Sequence, residues 1–281
     1  FKVRAAYVQT ITHIAMPINY PTQRITLRIS SNSLTLAAPN GDSESQIDFE
    51  PFIVKSGISM AANLRGAFKE AELLSRGYSH ATAIIDSPVI LIPVEEFQEE
   101  DKDILYNHSI TGHQQDLVAS TVLPDENAVA LYSVNKDLKL VLDDHFPDLR
   151  LRPLMYSVWN HMHQSGYGSQ WRRLYGYFHD NKLEIFSFDK NRFRYCNSFS
   201  NAQLRDAVYY LLFVWNQLGF DARHDELHLS GRLPEAEQMT LILKRYVQKV
   251  YVHSVTAAFN RAPITRIKGI QLDMITHFLK K

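Results

Sequence analysis

The stretch NSFSNAQLRDAVYYLLFVWNQLGFDARHDELHLSG, residues 197–231, carries the clearest secondary-structure signal of the chain. Apolar residues recur at helical spacing from Leu204 to Leu218, and Gly219 follows as a typical helix stop. Ser200 and Gln203 have the spacing of a capping box at the helix start. The apolar stripe is widened nearly all round by Tyr209, Tyr210, Phe213 and Val214. We therefore expect a long helix that is buried on more than one side and is followed by the strand DELHLSG.

The residues before this helix predict a three-stranded antiparallel meander. WRRLYGYFHDNKLEIFSFDKNRFRYCNSF, residues 171–199, has three alternating runs separated by the turn-rich segments HDNK and DKNR. After the helix and its strand, LPEAEQMTLILKRY predicts another helix and KVYVHSV another strand.

The first part of the chain predicts the same order of elements. RITLRISSNSLTLAA (24–38) gives two strands, SQIDFEPFIV (45–54) a third, and residues 58–76 a helix. Further strands and helices follow, with a polar connection running to about residue 127 and a helix in LRPLMYSVWNHMHQS (151–165). GIQLDMITHFLKK (269–281) predicts a terminal amphipathic helix.

A meander followed by β-α-β units is the layout of the ribonuclease H-like fold. Two copies in tandem would give an actin-like ATPase arrangement with a cleft between them. We expect an α/β chain with the first ribonuclease H-like subdomain over residues 1–166 and the second over 167–281. The junction falls in QSGYGSQWRR (164–173), which has the glycines and serines of a turn.

Composition excludes several classes of protein. The 281 residues contain 30 Lys plus Arg and 30 Asp plus Glu, so no net charge favours nucleic acid or an anionic membrane. The single cysteine, Cys196, cannot form an internal disulfide. No run reaches the ~20 apolar residues of a membrane span, and polar residues at positions 9–13 interrupt a signal-peptide core. We expect a cytoplasmic protein without a membrane span.

Residues 195–232 resemble a bacterial family known only as a domain of unknown function. Its members have a comparable Asn-Ser-Phe, a helix with Tyr-Tyr-Leu-Leu-Phe, and a strand ending in Leu-Ser-Gly. ITLRISSNSLTL and ILIPVEEF agree with the family more loosely. The resemblance implies an actin-like ATPase fold and leaves the activity open.

Working members of the actin-like fold hold phosphates in the first hairpin turn of each half, through Asp-x-Gly patterns. The first turn here, RISSNSL, has neither Asp nor Gly, although Ser30 and Ser31 could bond an anion. The second has Asp180 without a glycine, and the strand that would end in paired glycines keeps Gly231 alone. Ser30, Ser31, Asp180 and Gly231 are therefore the candidate ligand-binding residues, with phosphate loops that are degenerate.

Other enzymatic functions have less support in the sequence than nucleotide binding. A nuclease of this fold needs clustered carboxylates, for which only Asp180, with Glu184 and Asp206, is available. The closely spaced histidines do not form a recognised metal motif, so we expect no metal site and no catalytic residue.

The sequence therefore predicts a non-catalytic binding or scaffold protein that needs no cofactor and has a protein partner, its oligomeric state left open. The alternative is a nucleotide-binding ATPase or kinase-like enzyme with atypical phosphate contacts, which would use ATP and Mg²⁺.

Overall fold

The computed structural model describes residues 23–200, 203–254, 259 and 262–279. The predicted start of the first subdomain and the segment that interrupts a signal peptide lie outside these residues. Across the described ranges, no helix combines the length and the apolarity needed to cross a bilayer.

The first half is built on a five-stranded sheet flanked by helices. Its strands are β1 (Arg24–Ile29), β2 (Leu34–Pro39), β3 (Ile47–Phe52), β4 (His80–Ile85) and, after an insertion, β8 (Asp148–Pro153). Its helices are α1 (Met60–Glu70), the short α2 (Glu72–Ser75) and α4 (Lys136–His145). The sheet order is β3-β2-β1-β4-β8, with β1 to β3 antiparallel and β4 and β8 parallel to β1.

The second half repeats this topology. Its strands are β9 (Arg173–His179), β10 (Lys182–Asp189), β11 (Arg192–Ser200), β12 (Glu226–Gly231) and β13 (Lys249–Val252). Its helices are α6 (Leu204–Gln217) and α7 (Ala236–Leu243). The order β11-β10-β9-β12-β13 places the meander beside two parallel strands, as in the first sheet. The two tandem ribonuclease H-like sheets predicted from the sequence are confirmed.

An insertion between β4 and β8 forms a third, smaller sheet. It contains β5 (Val89–Pro93), β6 (Leu117–Leu123) and β7 (Ala128–Val134) in the order β5-β7-β6, with α3 (Lys102–Ser109) beside it. β6 lies where the sequence predicted only a polar connection. β8 was missed because its last residues, 151–153, were assigned to the segment of the following helix. β6 is an edge strand whose exposed apolar residues give little periodic signal.

The two halves share a core around α5 (Tyr156–Gly166) and the last described helix, α8 (Leu272–Phe278). Trp159 of α5, Tyr177 and Phe186 of the second sheet and Ile275 of α8 are all buried in it. The predicted amphipathic character of α8 is wrong, because Leu272 to Thr276 are all buried. α8 thus packs on α5, which precedes the second sheet, and the division of the chain at residues 166 and 167 stays a prediction.

The helix α6 differs from its sequence-based prediction at one face and at its start. Leu211 and Trp215 are buried on the second sheet, but Tyr209 is 62% and Phe213 47% exposed. The prediction that α6 is buried on more than one side is therefore wrong. Ser200 belongs to β11 and Gln203 makes no side-chain cap bond, so the predicted capping box is also wrong. The stop at Gly219 is confirmed by its positive φ of 62°.

Candidate functional site

The first hairpin turns of the two halves meet in the cleft. In the second half, His179 and Lys182 pair across a two-residue turn formed by Asp180 and Asn181, whose φ angles are 41° and 61°. Two positive φ angles are typical of a type I′ turn, and Asp and Asn tolerate this conformation better than most residues. The turn is therefore made without glycine, and it directs Asp180 towards the first half.

Arg28 of β1 joins the two turns. Its Nη2 donates to Asp180 Oδ2 at 2.5 Å, and its Nη1 donates to Ser33 Oγ, in the first turn, at 3.2 Å. Ser33 Oγ lies 3.4 Å from Asp180 Oδ1. The exposed fractions of the Arg28 and Asp180 side chains are 1% and 9%, so this ion pair is nearly excluded from water.

α8 supplies a second carboxylate to the same arginine. Arg28 Nε donates to Asp273 Oδ1 at 2.9 Å and Nη2 to Asp273 Oδ2 at 3.0 Å, a two-point contact that fixes the guanidinium plane. Tyr177 of β9 donates its hydroxyl proton to Asp273 Oδ2 at 2.9 Å. Arg28, Asp273 and Tyr177 thus connect β1, α8 and β9 within the core shared by the two halves.

The charged forms of these groups are stabilised by one another. Burial alone would lower the pKa of Arg28, but the charge and hydrogen bonds of Asp273, with the charge of Asp180, hold it well above its ordinary value. Burial would raise the pKa of Asp180, yet hydrogen bonds from His179 and Arg28 keep it well below its usual range. Burial and the Asp273 charge raise the pKa of Tyr177, so its hydroxyl remains a donor.

A second ion pair crosses the cleft in the opposite sense. Lys182 of β10 donates to Oδ1 of Asp86, the residue that follows β4, at 2.8 Å. His179 lies between the carboxylates of Asp180, 3.2 Å from Nδ1, and Glu184, 3.4 Å from Nε2. Burial would lower the pKa of His179, but its bonds to these two carboxylates raise it to about 9. Each half therefore gives a cation to a carboxylate of the other.

The candidate residues predicted from the sequence lie at the same end of the two sheets but have different surroundings. Ser30 is buried and bonded within its own turn, 2.7 Å from Ser33 Oγ, whereas Ser31 is exposed. Gly231 ends β12 with φ at 90°, and a Cβ there would lie 2.1 Å from the carbonyl oxygen of Phe178. Only Asp180 contacts the other half directly, and the ligand-binding roles of the four residues stay predictions.

The side chains at the turns do not fit the triphosphate and Mg²⁺ that the alternative function, an ATPase or kinase-like enzyme, would use. A triphosphate needs open backbone N–H groups at both turns. Here Arg28 and Ser33 contact Asp180 directly between the turns, and Arg28 is already bonded to two carboxylates.

The sequence reasoning missed most of the cleft residues. Arg28 alternates with buried apolar residues in β1, a pattern that commonly places a charge in solvent. β1 is the central strand of its sheet, however, and both of its faces are buried. The adjacent His179 and Asp180 at a hairpin turn were a usable signal. Of the nuclease candidates, Glu184 contacts His179, whereas Asp206 is exposed on α6.

Comparison with solved structures identifies the fold. A protein of Bacteroides thetaiotaomicron VPI-5482 with an actin-like ATPase fold and unknown function is 24% identical, covers 93% of this chain and 97% of its own, and has a TM-score of 0.79. The cytoplasmic domain of EpsL of the Vibrio cholerae type II secretion system is 13% identical over 92% of this chain and 96% of its own, with a TM-score of 0.46. A PilM–PilN type IV pilus biogenesis complex gives 13% identity, 84% and 89% coverage and a TM-score of 0.49.

The first of these matches confirms the predicted actin-like ATPase fold of the chain. No curated protein matches the sequence. A family model described as a protein of unknown function, DUF3822, matches residues 17–250. The chain belongs to the DUF3822 family, in agreement with the resemblance found in residues 195–232.

Proposed function

We propose that the chain is a non-catalytic, actin-like binding or scaffold protein whose two halves are held together by its own side chains. The observation that carries the proposal is the contact of Arg28 with Asp180 and Asp273 between the hairpin turns. A nucleotide enzyme of this fold would reserve that space for phosphates. In this chain, one guanidinium and two carboxylates supply the charges that a nucleotide and its cation would otherwise bring together.

The reciprocal pair of Lys182 and Asp86 supports the same function. To admit a triphosphate, the halves would have to break both cross-cleft ion pairs, each of which has a side chain at most 9% exposed. A phosphate that displaced one partner of such a pair would leave the other charge buried and uncompensated, which costs several kcal/mol. The closed arrangement is therefore suited to presenting a fixed outer surface to a partner.

Two outer features are available for binding. The first is the exposed aromatic pair of α6, Tyr209 and Phe213, whose rings stack with centroids 5.9 Å apart. The second is a cavity of about 640 Å³ beside the 166–173 loop, with Trp171 and Lys190 among its lining residues. A cavity of this size is in the usual range for small ligands.

Thermal unfolding with and without millimolar Mg-ATP tests the proposal. A scaffold with a closed cleft should show no shift in melting temperature, because only a ligand that binds the folded state raises it. Asp180→Asn and Arg28→Met variants should not gain or lose a nucleotide response. A rise of several degrees in the wild type that disappears in Asp180→Asn would instead support the alternative, an ATPase or kinase-like enzyme.

A further inference from the structure

A carboxylate and imidazole cluster lies beside the Arg28 contact. Asp86 follows β4 of the first half, and His179 and Asp180 end β9 of the second. One ligand atom from each of the three residues lies within 4.8 Å of the others. Two carboxylates and one imidazole form a ligand set that suits Zn²⁺ and similar divalent transition metals better than Mg²⁺, which prefers oxygen ligands alone.

The partners of His179 orient it as a metal ligand. Glu184 Oε1 lies 3.4 Å from Nε2, and Glu184 itself accepts a hydrogen bond from Ser198 Oγ at 2.8 Å. Nε2–H donates to Glu184, and in the metal-free protein Nδ1–H points to Asp180 Oδ2 at 3.2 Å, so a bound ion would take the place of the Nδ1 proton. A carboxylate behind a histidine is the usual way in which proteins orient a metal-binding imidazole. The 3.2 Å separation is close to the ~3.3 Å expected between two ligands of a tetrahedral ion with bonds of about 2.0–2.1 Å.

Asp86 provides an independent observation. Its side chain is only 5% exposed, and its Oδ1 accepts from Lys182. Its Oδ2 is buried and has no hydrogen-bond partner among the described residues. Burying a carboxylate oxygen without a partner costs folding free energy, and a bound cation or a hydrogen-bond donor would offset that cost.

The charges of the cleft also favour a divalent cation. Its four carboxylates are those of Asp86, Asp180, Glu184 and Asp273. Among the described residues, two permanently charged cations pair with them, Arg28 and Lys182. Once a bound ion has displaced the Nδ1 proton of His179, the side chains carry a net charge of 2 − 4 = −2, which one divalent ion would balance.

We propose that Asp86, His179 and Asp180 bind one divalent transition-metal ion of the zinc type, with Glu184 positioning His179. The ion would replace a proton of His179, and that proton would be released to solvent. Asp86 belongs to the first half and the other two ligands to the second, so the ion would clamp the cleft shut. The ion would bind without a nucleotide. A failure of the zinc titration would therefore leave the proposed scaffold function untouched, and a response to Mg-ATP would leave the ion site untouched.

Calorimetric titration of the chelator-treated full chain with Zn²⁺ tests the site. We expect one ion per chain in the wild type, and affinities at least about tenfold lower in Asp86→Asn and in His179→Gln. His224→Ala is the matched control, because His224 forms an exposed pair with Asp221 at 2.9 Å, away from the cluster. It should bind zinc as the wild type does. At a hundredfold excess of zinc over its Kd, the melting temperature should rise by about 5 °C in the wild type.

Two results would overturn the proposal. One is a wild type that takes up no zinc at micromolar concentrations. The other is equal zinc binding by the wild type, Asp86→Asn and His179→Gln, which would indicate that zinc binds only to surface histidines. If His179→Gln does not fold, the isosteric Asp86→Asn decides alone, since its amide oxygen can still accept the Lys182 bond.

Discussion

The guanidinium of Arg28, in the first half, lies 2.5 Å from the carboxylate of Asp180, in the second, and neither side chain is more than 9% exposed. A pair this deeply buried gains little net stability over an apolar pair of the same shape. Its effect is to penalise arrangements of the halves in which one charge stays buried while its partner moves away, because that charge is then uncompensated. The closed state is thereby selected over partly opened ones.

Removal of Arg28 should destabilise the protein strongly. Arg28→Met leaves Asp180 and Asp273 buried without their cation, which should lower the free energy of unfolding by about 3–5 kcal/mol. Urea denaturation measures the change. Arg76→Met is the control, because Arg76 pairs with Asp48 at the surface and its loss should cost less than about 1 kcal/mol. Equal losses in the two variants would contradict the role assigned to Arg28.

Coupling between Arg28 and Asp273 can be measured separately. The double variant Arg28→Met with Asp273→Leu removes a cation and the carboxylate that it neutralises. It should lose less stability than the two single variants added together, by at least about 1 kcal/mol. Additive losses in a double-mutant cycle would show that the two-point contact seen between these residues is not maintained in solution.

Stability should depend on pH through Glu126. This side chain is fully buried beside α5, 3.6 Å from His163, and burial together with the charge of Asp125 raises its pKa from 4.5 to about 7. Between these two values the folded state binds more protons than the unfolded state, so the free energy of unfolding falls as pH rises. The fall should be on the order of 3 kcal/mol.

Glu126→Gln should remove this pH dependence. Denaturation of both proteins at pH 5 and pH 8 isolates the effect, since other titrating groups are common to the two. The difference in stability between the variant and the wild type should grow in favour of the variant at pH 8. A constant difference would mean that Glu126 titrates normally.

Gly231 should not tolerate a side chain. Its φ of 90° is unfavourable for other residues, and a Cβ would lie 2.1 Å from the carbonyl oxygen of Phe178. Gly231→Ala should therefore cost about 2–4 kcal/mol. Gly41→Ala, at a turn with open space around the glycine, should change stability by less than about 0.5 kcal/mol. Similar melting temperatures for the two variants would contradict this geometry.

The two faces of α6 should respond differently to truncation. Leu211 is fully buried, and Leu211→Ala should cost about 2–5 kcal/mol. Phe213→Ala, on the exposed face, should cost less than about 1 kcal/mol and leave the fold intact. A large loss in Phe213→Ala would show that the exposed face is covered, for instance by a second copy of the chain, and sedimentation would then detect the dimer.

The sequence predicted the fold better than the site because the two depend on different information. The meander and α6 have strong periodic patterns and turn residues, such as Asp180 and Asn181, that act locally. The site depends on contacts between Arg28, Asp180 and Asp273, which are far apart in sequence. Periodicity cannot show that both faces of β1 are buried, because that depends on its central place in the sheet. The same limit explains why α8 was predicted to be amphipathic.

The position of α8 after both sheets has a consequence for biosynthesis. Translation proceeds from the amino end, so Arg28 and Tyr177 leave the ribosome before Asp273, which bonds to both. Each sheet can form early, but Arg28 cannot bond to the carboxylate of Asp273 until α8 has left the ribosome. During that interval nothing bonds Arg28 and Tyr177 to α8. A ribosome-bound chain stopped before residue 272 should therefore be cleaved by protease between its two halves, whereas the chain that includes α8 should resist this cleavage.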